Sequence, residues 1–114
     1  MEKISLTALA RQELAAARAA GSGRSAHTVY GGHEHALRQT VIALTQGNEL
    51  DEHESPGEAT LQVLEGRVRL GNADAHWEGS PGDHLVIPRT RHSLQALADS
   101  VVLLTVVKPV GPHV

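Results

Sequence analysis

The chain has no cysteine and no phenylalanine, and its only aromatic residues are Tyr30 and Trp77. Without cysteine, disulfides, thiolate nucleophiles and Cys-ligated zinc or iron–sulfur centres are excluded. Without phenylalanine, the core has to be assembled from Leu, Val, Ile and Ala. An excess of positive charge is also missing: 10 Lys and Arg stand against 13 Asp and Glu, for a formal net charge of −3. That balance provides no basic field for a phosphate backbone, so nucleic acid is not an expected partner. Long apolar runs are lacking as well. Val101 to Val107 is broken by Thr105 and falls far short of the roughly 20 residues that cross a bilayer as a helix. The opening Met1-Glu2-Lys3-Ile4-Ser5 has neither the basic start nor the apolar stretch of a signal peptide, and no membrane association and a cytoplasmic location are expected. At 114 residues the chain makes one domain of ordinary size, burying about two-thirds of its unfolded surface. What it does have is eight histidines, the one conspicuous reservoir of metal or proton chemistry.

The first 23 residues read as a helix and a joint. Ser5 is a suitable N-cap, Leu6, Leu9, Ala10, Leu14 and Ala17 recur three or four apart, and Gly21-Ser22-Gly23 ends the segment. Its Ala-rich, narrow apolar face predicts a helix that docks on something larger. From residue 24 to 108 the texture changes to short β-type runs divided by turn residues, at the spacing of a sandwich or barrel. Strands are predicted at His27–Tyr30, Arg38–Leu44, Glu49–His53, Ala59–Leu64, Arg67–Leu70, Ala75–Glu78, His84–Ile87, His92–Ala96 and Ser100–Val107. The connections are too short for crossover helices, so the sheets should be antiparallel. The expected fold class is all-β: an antiparallel double-sheet jelly-roll barrel with one N-terminal α-helix. Residues 109–114, with Pro109 and Pro112, form a tail.

Between Gly47 and Ala96 two motifs stand out. In the first, Gly47 is followed by His53, Ser55, Ala59 and Gly66; in the second, Gly82 is followed by Pro88 and His92. Their spacing, the Val63-Leu64-Glu65-Gly66 ending and the Gly82-Asp83 to Ile87-Pro88 run resemble the two signature motifs of the cupins, RmlC-like jelly-roll barrels whose ligand site lies inside the barrel mouth. In metal-containing members the resemblance implies two His one residue apart and a carboxylate or third His in the first motif, with a further His in the second. That set would suit zinc, iron, nickel or manganese. Position by position, His53 and His92 match, whereas Ser55 stands in place of the second His and Ala59 in place of the carboxylate. The ligand set is degraded. Glu58 is one residue off and, in a strand, should point to the opposite face; Gln62 shares its parity.

His53 and His92 are therefore the candidate metal ligands and, alternatively, a general acid and base pair. Ser55 is expected to orient a ligand, and His84, at a strand start, to line the barrel. His33 and His35 around Glu34 look like a ligand pair but fit a solvated turn. His27 and His76 suit a half-exposed strand surface, and His113 belongs to the tail. The acidic run from Glu49 to Glu58 reads as a solvated strand face, and Arg89 and Arg91 as loop residues that could meet an anion at the mouth. Inward-facing members of Leu61, Val63, Leu85 and Ile87 would favour an apolar or aromatic small organic ligand. Two function classes follow: a small-molecule-binding cupin performing modest or metal-assisted chemistry, with a divalent transition metal as cofactor, and a non-catalytic binding or sensing module whose ancestral metal site has been lost. A DNA-binding regulator would need a helix-turn-helix that one N-terminal helix cannot supply. Sheet edges in need of cover lead to the expectation of a homodimer.

Overall fold

The structure, a computed structural model, describes residues 2–53 and 57–108, with only the backbone described at 51–53. Ser55 and the tail from 109 to 114 lie outside the described residues. The helix α1 spans Leu6–Ala19. Nine strands follow: β1 Arg24–Tyr30, β2 Leu37–Leu44, β3 Glu49–His53, β4 Glu58–Glu65, β5 Val68–Gly71, β6 His76–Gly79, β7 His84–Val86, β8 His92–Ala96 and β9 Ser100–Val107. They form a five-stranded sheet of order β1-β2-β9-β4-β7 and a four-stranded sheet of order β3-β8-β5-β6. Every pairing is antiparallel. The expected jelly roll with one N-terminal helix is the fold observed.

Period-two alternation assigns the two faces of each strand. Along β4, Ala59, Leu61 and Val63 are buried between the sheets, where they join Leu44, Val68, Leu70, Ile87, Leu94, Ala96 and Val102 in the main core. The alternate residues of β2 and β9, Val41, Ala43, Val101 and Leu103, face outward, and α1 covers them with Leu9, Ala10, Leu14 and Ala17. One sheet therefore separates two aliphatic cores, which is how a chain without phenylalanine buries its Leu and Val. Ser5 caps α1 by accepting a hydrogen bond from Ala8 N at 3.2 Å, satisfying one of the amide groups a helix start leaves without an intrahelical partner.

Candidate functional site

β8 delivers His92 to the interior. His92, Leu94 and Ala96 are all buried on the inner face, and His92 is only 2% exposed. Its Nδ1 lies 3.0 Å from the Thr90 carbonyl oxygen. A carbonyl can only accept, so Nδ1 carries a proton and donates it to Thr90. His92 borders an interior pocket of about 40 Å³ whose other walls are Ile42, Leu50, Leu61, Leu70, Ile87, Leu94 and Leu104. Seven aliphatic side chains and one imidazole make this a small, mostly apolar space. At about 10–15 Å³ per water it holds about three water molecules and, as it stands, no organic ring.

β3 brings His53 opposite His92. Glu49 pairs with Gln95 and Leu50 with Leu94, but the next pair is His53 with His92, so three residues advance on β3 against two on β8. This β-bulge changes the strand's parity, and it is what makes the two histidines partners in register. Ser55, expected to orient a ligand, lies outside the described residues.

Glu58 and Gln62 are exposed on the outer face of β4, and Ala59 between them and the core is 6% exposed. His84, expected to line the barrel, does not. On β7 it is Leu85 that pairs with inward Leu61 and packs on the core, so His84, opposite Gln62, falls on the outer face and is exposed. The reason is the strand's period of two: with Leu85 and Ile87 inside, residue 84 has to face away. Leu61, Val63, Leu85 and Ile87 all face the interior. His33 and His35 are exposed in the β1–β2 connection, where the His35 ring meets Tyr30 edge-on at 5.0 Å. His27 and His76 are exposed on β1 and β6. Arg89 and Arg91 are both exposed.

The metal set that the resemblance implies does not fit these residues. A buried methyl group, Ala59, sits in the aliphatic core at the carboxylate's position. The neighbouring carboxylate, Glu58, faces the other way, and among the described residues no group of three His, Cys, Asp or Glu could hold a metal ion. The electrostatically perturbed groups lie elsewhere. Arg67 hydrogen-bonds Glu78 at 2.9 Å and holds its carboxyl below the ordinary range, with Arg69 adding to the effect. Asp99 is lowered first by the Gln46 amide and then by Arg18.

A two-sheet antiparallel jelly roll with a histidine from its penultimate strand at an apolar interior is the architecture of the small cupins, and the chain has that fold. An RmlC-like cupin from Desulfovibrio desulfuricans is 28% identical with a TM-score of 0.64, the match covering 74% of this chain and 81% of that one. A conserved Streptococcus pyogenes protein of unknown function is also 28% identical, with a TM-score of 0.69 over 79% of this chain and 78% of that one. A cupin superfamily protein from Desulfitobacterium hafniense shares the fold, with a TM-score of 0.69 at 15% identity over 75% of this chain and 78% of its own. No family model and no curated protein matches the sequence. Among the described residues no helix is long and apolar enough to cross a membrane.

Proposed function

We propose that this cupin domain is a binding or sensing module for a small apolar or aromatic organic molecule, without a resident metal. The observation that carries the reading is the interior wall: aliphatic on every side but one, with His92 as its polar group and Ala59 where a ligating carboxylate would stand. Such a lining favours apolar contact, and the single imidazole supplies orientation. Elemental analysis of untagged protein grown with zinc, iron, nickel and manganese, beside the His53→Ala variant, tests it. No stoichiometric metal is expected in either. A stoichiometric metal that the variant loses would overturn the reading.

A second reading keeps chemistry at the site and draws on the register that sets His53 opposite His92. Two histidines opposite each other in register can pass a proton, one as acid and one as base. It predicts a turnover that either single alanine variant abolishes while binding persists. We also propose that the protein acts as a homodimer. Its support is the cross-strand pair Leu37 and Val107, 41% and 39% exposed on the half of the outer sheet face that α1 leaves uncovered.

A further inference from the structure

The barrel is open along one side. β6 ends the four-stranded sheet and β7 ends the five-stranded one, and the two edge strands are not hydrogen-bonded to each other. Between them runs a groove of about 360 Å³ lined by Leu70, Trp77, His84, Leu85 and Val86. Trp77 is opposite buried Leu70 in register, which puts it on the inner side of β6, yet it is 44% exposed because no strand lies beyond it. Two residues on, the seam is pinched shut: a Cβ added at Gly79 would come within 2.9 Å of Val63 Cγ2 and 3.2 Å of Leu85 Cδ1. The opening is thus confined to the Trp77 end. Leu70, 1% exposed, borders both this groove and the interior pocket beside His92, so one side chain forms a wall common to the two spaces.

We propose that the seam between β6 and β7 is the entrance to the site and its outer half, and that the ligand is a small aromatic carboxylate. The inference rests on reading the interior pocket as a binding site. The interior alone is too small for a ring, whereas the groove alone reaches the range of about 300–1,000 Å³ typical of small-molecule sites. Its polar groups decide the chemistry. The indole N–H of Trp77 only donates, the exposed His84 imidazole can donate, and no acid lines the groove, so the complementary ligand brings acceptors. The indole face and Leu85 present apolar surface to a flat ring. A turn of Leu70 about its side-chain bonds then joins groove and pocket, and the ring's far edge reaches His92.

Trp77 is the chain's sole tryptophan, so its emission reads this groove and nothing else. The test titrates 2-naphthoate into the full chain while following Trp77 fluorescence and, by NMR, the His92 ring signals. Saturable quenching of Trp77 with a concerted shift at His92 is expected. Leu70→Ala, which merges the two spaces, should tighten binding several-fold, and the exposed-site variant His84→Ala, chosen because it leaves the core untouched, should weaken naphthoate several-fold while leaving neutral naphthalene unchanged. A shift at His92 with Trp77 emission and the His84→Ala affinity unaltered would overturn the seam as entrance and leave the pocket reading standing. Quenching at Trp77 with no change at His92 would make the groove a separate site and overturn the link. Absence of both signals would overturn the inference and the pocket reading together.

Discussion

At position 59 a methyl group faces the interior from the middle of β4, 6% exposed among Leu61, Val63 and Ile87. A carboxylate there would be an uncompensated charge in an aliphatic core, at a cost of about 3–5 kcal/mol unless a cation or hydrogen-bonding partner answers it. The same argument makes the position a switch between two kinds of site. Ala59→Glu combined with Ser55→His reinstates the donor types that the cupin resemblance implies, beside His53 and His92. The double variant is expected to be less stable than the wild type by a similar amount in chelator. Added zinc or nickel should restore much of that loss, because a ligand that binds the folded state alone stabilises it by mass action. Thermal unfolding with and without metal checks both halves. A metal-induced rise already present in the wild type would contradict the metal-free reading. At Gly66 a different constraint acts: its φ of +82° and the adjacent Asp99 carbonyl and Ser100 leave no room for a Cβ. The motif glycine closing β4 is thus required by the backbone and has no chemical part in the site.

At the scale of elements, α1 is held by apolar packing and by a polar clamp at its end. Arg18, in its last turn, donates from Nε to Asp99 Oδ2 at 2.9 Å, and Asp99 Oδ1 accepts from Gln46 N at 2.8 Å. These bonds depress the Asp99 carboxyl in the folded state, the Gln46 amide more than Arg18. A group whose folded value lies below its unfolded one contributes stability above the unfolded value and loses it as pH falls through the folded one. Asp99→Asn should therefore lower the melting temperature slightly at neutral pH, and the gap should close as pH drops below the ordinary carboxylate range. A gap that persists unchanged in acid would assign the loss to geometry instead of charge. The position of α1, its cap and all nine strands could be read from the sequence because periodicity and turn residues are local signals. Which strands share a sheet could not, since β2 beside β9 and β3 beside β8 are pairings between distant segments. The bulge in β3 was equally hidden, as nothing in Leu50-Asp51-Glu52-His53 marks an extra residue. The site was legible only in part for the same reason. His92 and Ala59 follow from motif spacing, but His84 was misplaced, and the groove beside Trp77 depends on two strands becoming edges.

For the whole molecule the decisive asymmetry is the outer face of the five-stranded sheet. α1 covers the half bearing Val41, Ala43, Val101 and Leu103, and the other half carries Leu37, Val107 and Val86 among the polar Gln39, Thr105, Thr60 and Glu58, the last opposite Val107. Of the six large hydrophobics exposed among the described residues, Ile4, Tyr30, Leu37, Val86 and Val107 lie on or beside this open half; the sixth is Trp77. A helix packs about 8–10 Å from its neighbour, so α1 forms a step of that height beside the open half. Two copies cannot meet with their helices superposed, because the open halves would then stand two layers apart. A two-fold axis running across the strands removes the conflict. In the homodimer proposed above, each α1 would fill the recess on the other copy and seat its exposed Ala8, Ala15 and Ala19 on Leu37, Val107 and Tyr30, an isologous contact of the kind closed dimers require. Light scattering at micromolar concentration is expected to show a dimer. Val107→Asp and, on the opposite side of the same contact, Ala15→Glu should each give a folded monomer, whereas Trp77→Ser, outside the face, should leave the dimer intact. A monomeric wild type would reject the association outright, and a dimer that survives Ala15→Glu would move the interface from the helix to the free edge of β1.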